Sequence, residues 1–267
     1  MSKKAILIIS FGTSHEDTLV KTIVKIEEKF KKIYKGYDFY RAFTSRIIVK
    51  KLKKQKNEEI HLPSEALERI KELGYEEVVI QSLHVINGTE YELTHNEILE
   101  YAGEMKIKLG KPLLTEEDDY RKVVSIISKS IPKLKKDEIV ILMGHGSEHP
   151  SNSTYLALDY MFKIMGHENI YISTVEGFPQ IKEVIEYIEE KKEVKKIYLV
   201  PFMIVAGDHA KNDMAGEDED SWKSILENRG YDVEVILKGL GEMDEIGDLF
   251  VEHSKQGKRI FRSKKSL

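Results

Sequence analysis

Short, unbroken apolar runs alternate with segments of helical period along this chain, and the alternation occurs twice. Ala5–Ser10 (AILIIS) is a continuous apolar run of the kind that lies buried on both faces of a parallel sheet. From Glu16 to Lys31 the period changes, with Leu19, Ile23, Ile26 and Phe30 on one helical stripe. Phe39–Phe43 reads as a weaker strand. Pro63 opens a helix carrying Ala66, Leu67, Ile70 and Leu73, and Gly74 ends it. Val78–Val85 is the next strand and Lys106–Leu109 a short fourth. In the second half, Ile139–Met143 and Ile170–Val175 read as strands around a helix near Thr154–Met165. Pro179 opens a helix with Ile181, Val184, Ile185 and Ile188. Ile197–Val205 and Val233–Leu237 are further strands, with Trp222–Leu226 in a helix between them. Ile246, Leu249, Phe250 and His253 mark a last amphipathic helix.

The halves correspond in order. KKAILIISFGTS matches KDEIVILMGHGS, LPSEALERIKELGYEEVVIQSL matches FPQIKEVIEYIEEKKEVKKIYLVPF, and HVINGTEYE matches MIVAGDHAKND. Three matches in one order argue for a diverged duplication. The expected fold is α/β: two similar doubly wound parallel-sheet domains with a cleft between them. The division falls at residues 1–115 and 116–267, with the C-terminal helix able to pack across both domains. In such folds ligands sit beyond the carboxyl ends of the strands.

Composition narrows the function. Of 267 residues, 41% are hydrophobic and 33% charged, which suits a globular chain. The formal net charge is −4, from 42 basic and 46 acidic residues, which weighs against a nucleic-acid partner. There is no Cys, so disulfides, iron–sulfur clusters, a Cys nucleophile and a thiolate metal site are excluded. Any metal must be held by nitrogen and oxygen donors. Lys3 and Lys4 before Ala5–Phe11 loosely resemble a signal peptide, but no small-x-small cleavage site follows. No apolar stretch approaches the ~18 residues of a membrane span. The expectation is a soluble, cytoplasmic protein.

Three segments of the second half carry a metal-capable side chain just past a strand. They are Gly144-His145-Gly146-Ser147, Val175-Glu176-Gly177-Phe178-Pro179, and Val205-Ala206-Gly207-Asp208-His209. Two imidazoles and a carboxylate from three strand ends can converge on one divalent transition metal. Taken singly, each has an ordinary explanation: a loop histidine, or a carboxylate favoured at a helix start. Glu90 occupies the position of His209 in the repeat and is expected to face the same cleft, where a carboxylate can escort a metal or accept a proton. The first-half counterpart of the Gly144 loop is Ser10-Phe11-Gly12-Thr13-Ser14. Its small residues entering a helix suit an anion, so Ser10, Gly12 and Thr13 are candidate substrate-binding residues, with His84. No G-x-G-x-x-G or P-loop Lys is present there, so no nucleotide is expected. The acidic stretches Glu116–Asp119 and Glu217–Asp220 read as solvated helix starts, and Lys50–Lys56 as a solvated helix face.

The segments ISFGTS, RAFTS, IQSLHVINGTEYE, MGHG, VEGFP, VAGDHAKNDMAG and DSWK together resemble the anaerobic sirohydrochlorin cobaltochelatases of the CbiK type. The resemblance runs from residue 3 to about 255, and Val205–Gly216 is its most specific stretch. It implies the class II chelatase fold and insertion of Co2+ into sirohydrochlorin without ATP. It also implies His145, Glu176 and His209 as metal ligands, His145 and His209 as catalytic groups, and Glu90 as a metal-handling carboxylate. The partner implied is the tetrapyrrole, with a homo-oligomer open. Ni2+ and Fe2+ remain alternative metals, because donor softness separates them poorly from Co2+. A non-enzymatic tetrapyrrole or metal carrier also remains open. The basic tail Lys255–Leu267 lies outside the resemblance.

Overall fold

The apolar runs of the sequence become strands, and nearly all of them are parallel. The structure, a computed structural model, describes residues 2–56, 60–191 and 193–261. The chain divides into two units, Met1–Thr115 with Asp244–Leu267, and Glu116–Met243.

Unit 1 begins with β1 (Lys4–Ser10) and α1 (Glu16–Leu19), which passes through a π-helical stretch, Val20–Val24, into α2 (Lys25–Ile33). Then come β2 (Asp38–Phe43), α3 (Arg46–Lys56), α4 (Pro63–Glu72), β3 (Glu77–Ser82), α5 (Thr89–Tyr101) and β4 (Lys106–Gly110). Unit 2 holds α6 (Glu117–Ser130), β5 (Glu138–Gly144), α7 (Ser153–Ile164), β6 (Ile170–Thr174), α8 (Ile181–Lys191), β7 (Lys196–Pro201), α9 (Trp222–Glu227) and β8 (Asp232–Val235). α10 (Asp244–Gln256) and the two-residue β9 (Lys258–Arg259) complete unit 1.

The first sheet has the order β2-β1-β3-β4-β9, parallel except for β9, and the second is β6-β5-β7-β8, parallel throughout. One face of the first sheet (Ala5, Leu7, Ile9, Val78, Ile80, Ile107) packs on Ala66, Leu67 and Ile70 of α4. In the second sheet Ile139, Ile141, Ile197 and Leu199 pack on Val184, Ile185 and Ile188 of α8. The alternate residues Ile6, Ile8, Val140 and Leu142 are buried too. Burial on both faces is why the strands read as unbroken apolar runs rather than alternating ones.

The structure differs from the sequence-based expectation at the C-terminal segment and at the ends of several strands. Residues after 243 return to unit 1 instead of staying with the second domain: α10 packs on α2, β3 and β4, and β9 adds an antiparallel edge strand to β4. The reason is that α10 carries a buried apolar stripe, Ile246, Leu249 and Phe250, which this sheet and α2 receive, fixed by Lys29 Nζ on Asp248 at 2.7 Å and by Tyr34 against Ser254 at 2.8 Å. β7 ends at Pro201, four residues before the expected end, because proline has no N–H to continue the ladder. The stretch after it instead accepts backbone bonds at Met203 and Ile204 from Leu240 and Gly241. β8 likewise stops at Val235.

β6 is the edge of the second sheet, and α7 covers its open backbone. Asp159 accepts from the Ile172 amide at 3.0 Å, and Lys163 Nζ donates to the Ile170 carbonyl. Burial raises the Asp159 carboxyl above its usual range and pulls the Lys163 ammonium below its own. Of the basic tail, residues 262–267 lie outside the described residues. Among those described, no helix is long and apolar enough to cross a membrane.

Candidate metal centre

Unit 2 gathers His145, Glu176 and His209 at the carboxyl edge of its sheet. Each offers one donor atom, and these atoms lie within 4.8 Å of one another. His145 directly follows β5, and Glu176 comes two residues after β6. His209 stands at the head of a π-helical stretch, Ala210–Met214, eight residues beyond β7. The two imidazoles meet edge to face, with centroids 4.8 Å apart and planes at 88°. His145 Nδ1 lies 3.6 Å from Glu176 Oε2 and 3.1 Å from the Gly146 carbonyl. A carbonyl only accepts, so Nδ1 of neutral His145 carries the hydrogen and Nε2 keeps the lone pair. All three side chains are partly exposed, so water or a substrate can reach them.

The loops are set by close backbone packing. Gly144 has no room for a side chain: a Cβ there would lie 2.5 Å from the Tyr155 ring. Gly146 adopts φ +83°, a left-handed conformation, and presses on the backbone of Gly177. The Glu176 amide donates to the His145 carbonyl at 2.8 Å and the Val175 amide to Gly144 at 3.1 Å, which ties the first two loops together. Asn152 spans both: its Oδ1 accepts from the Ser147 amide at 3.0 Å, and its Nδ2 donates to the Phe178 carbonyl at 2.7 Å. Beneath His145, the Tyr155 hydroxyl receives the amides of His145 and Gly146. Burial pushes that phenol up to about 12, so it stays protonated at neutral pH.

The other expected residues belong to unit 1. Ser10 ends β1, buried, with its hydroxyl lacking a hydrogen-bond partner. Gly12 takes φ +92° against the Phe43 ring. Thr13 is buried and accepts from the His15 amide at 3.1 Å. His84 follows β3; its Nδ1 lies 2.6 Å from the Ser82 hydroxyl, while its buried Nε2 has no partner. Burial lowers its pKa to about 4, so it is neutral at physiological pH. β1 and β3 are neighbours, so Ser10 and His84 share the carboxyl edge of this sheet. Glu90 is exposed in the first turn of α5, after the N-cap Gly88, and is not among the three clustered residues of unit 2.

Asn152, Tyr155 and Asp213 are absent from the sequence-based set. Asp213 Oδ2 lies 2.5 Å from His209 Nδ1. Its spacing of four from His209 is a helical signal that sequence can carry. Asn152 and Tyr155 leave no such mark, because their partners are backbone atoms of other loops.

The sequence model of the cobalt chelatase (CbiK) family matches residues 4–258. The sirohydrochlorin cobaltochelatase of Salmonella typhimurium is 38% identical over 255 residues, covering 95% of this chain and 96% of that protein. The sirohydrochlorin cobaltochelatase CbiKC of Nitratidesulfovibrio vulgaris is 30% identical over 259 residues, covering 95% and 90%. Among solved structures, SirB from Bacillus subtilis with Fe3+ superimposes with a TM-score of 0.65 at 13% identity, over 95% of each chain.

Proposed function

The chain belongs to the cobalt chelatase (CbiK) family, and on that premise we propose that it inserts Co2+ into sirohydrochlorin, without ATP, at His145, Glu176 and His209. The observation that carries the reading is the convergence of two imidazoles and one carboxylate, on loops held by Asn152 and the glycines.

The chemistry asks three things of such a site. The metal must be held loosely, because it has to leave. A nitrogen–oxygen set with open positions does this, whereas a closed thiolate cage would trap the ion. The metal must also shed its ligands stepwise as the ring nitrogens replace them, and partly exposed donors on loops permit that. Finally, the two pyrrolic N–H protons of the free-base ring must go to a base. Histidine alternates between ligand and proton acceptor near neutral pH. His145 is the principal base and co-ligand in this reading, and His209 the second imidazole. Ser10, Gly12, Thr13 and His84 bind the tetrapyrrole. A neutral His84 contributes hydrogen bonding without fixed charge. Glu90 steers the metal.

The test is anaerobic insertion with purified protein, followed by absorbance, comparing Co2+, Ni2+ and Fe2+. Fastest turnover with Co2+ supports the reading, and faster Ni2+ or Fe2+ reassigns the metal. Stoichiometric binding without release of metallated product would make the protein a carrier. In the same assay Glu90→Ala is expected to change the rate ratios among the three metals, since carboxylate is the harder donor. A helix-start role alone, worth ~0.3–1 kcal/mol, leaves those ratios unchanged.

A further inference from the structure

We propose that Asp213 is a positioning residue whose carboxylate locks the His209 imidazole in the tautomer and orientation that present Nε2 to the metal. The inference rests on the metal-site reading above. Asp213 Oδ2 is 2.5 Å from His209 Nδ1. An ionised carboxylate can only accept, so Nδ1 carries the hydrogen, and in the neutral ring the lone pair belongs to Nε2. A neutral histidine left to solvent favours the opposite tautomer, with the hydrogen on Nε2 and nothing there to offer a cation. The carboxylate therefore selects the useful form and stops rotation of the ring. Histidine ligands that hand their second N–H to a carboxylate are a recurrent arrangement at metal sites.

The backbone makes the contact durable. His209 and Asp213 are four residues apart, one helical turn, so their side chains stand one above the other. Ala210 and Met214, their immediate successors, are fully buried and anchor the π-helical stretch that His209 caps and Asp213 belongs to. Turns of this kind gather at functional sites. His145 solves the same problem differently, with Nδ1 against the Gly146 carbonyl. Both rings thus keep Nε2 for a ligand, one held by a backbone dipole and one by a full charge. Asp213 contacts Nδ1 of His209 and is not itself one of the clustered donors, so it acts through His209.

The experiment uses the full chain with 15N-labelled histidine. Long-range N–H correlations in the metal-free protein report the tautomer, and Co2+ titration by visible absorbance reports affinity. Steady-state kinetics give separate KM values for Co2+ and macrocycle. His209 is expected as the Nδ1–H form in wild type and the Nε2–H form in Asp213→Ala. The same variant should weaken Co2+ binding, and raise the KM for Co2+, by about 10–100-fold. The KM for macrocycle should not move, and Asp213→Glu should recover part of the loss. Should Asp213→Ala fold poorly, Asp213→Asn keeps the shape and is read by the same tautomer signal. Wild-type tautomer and Co2+ affinity in Asp213→Ala, with affinity lost in His209→Ala, overturn the positioning role and leave the metal site standing. Wild-type Co2+ affinity in His209→Ala overturns the metal-site reading itself, and this proposal with it.

Discussion

At the scale of the residue, the proposed mechanism divides its labour between side chains assigned to the metal and the macrocycle and side chains that hold them still. His145→Ala removes a group of the first kind. It is expected to lower chelation about 10²–10⁴-fold while thermal unfolding stays near wild type, because a partly exposed loop histidine adds little stability. Near-wild-type turnover would remove His145 from the mechanism. His84 offers a prediction in pH. Its pKa falls to about 4 in the folded protein, against about 6.5 when unfolded. Between those values the unfolded chain takes up a proton that the native one refuses, so stability is full above about pH 6.5 and declines as pH falls toward 4. His84→Gln should flatten that decline, measured by denaturant unfolding at several pH values. An equally steep slope in the variant would show that other groups set it. The clustering of His145, Glu176 and His209 is legible in sequence because each follows a strand, where α/β folds collect ligands. Asn152 and Tyr155 are not, because a hydrogen bond to a distant backbone amide depends on loop shape that no local pattern encodes.

At the scale of the element, the helices do more than cover sheets. α7 places Asp159 and Lys163 one turn apart, and this pair occupies the backbone groups along the outer edge of β6. An uncapped edge strand is a template for pairing with another chain. Lys163→Met is therefore expected to cost about 1–3 kcal/mol, as for an unsatisfied buried polar group, and to increase self-association. Thermal unfolding and light scattering check the two effects. Unchanged scattering at high concentration would show that the edge needs no cap. Sequence places a helix near Thr154–Met165, but the spacing of four between Asp159 and Lys163 says nothing of the strand edge they cap. Periodicity failed differently for α10. Its stripe of Ile246, Leu249 and Phe250 announced a buried face without saying which sheet it would bury. β9 was too short, at two residues, to leave any pattern.

At the scale of the whole molecule, the second unit is one continuous stretch, Glu116–Met243, whereas the first is built from two separated pieces. All three residues of the candidate metal cluster lie in the continuous stretch. A fragment of residues 116–243 is expected to unfold cooperatively and to bind Co2+, yet to metallate nothing, since the proposed macrocycle-binding residues Ser10, Gly12, Thr13 and His84 are missing from it. Absence of a cooperative transition, or of Co2+ binding, would refute that expectation. The split also orders events on the ribosome. At about 5–20 residues per second, residues 116–243 take on the order of ten seconds to make. For that interval β4 has neither α10 against it nor β9 beside it, and its outer backbone edge has no strand to pair with. The unit synthesised first is thus the one finished last, and nascent chains stalled between α9 and α10 should be the form that chaperones hold.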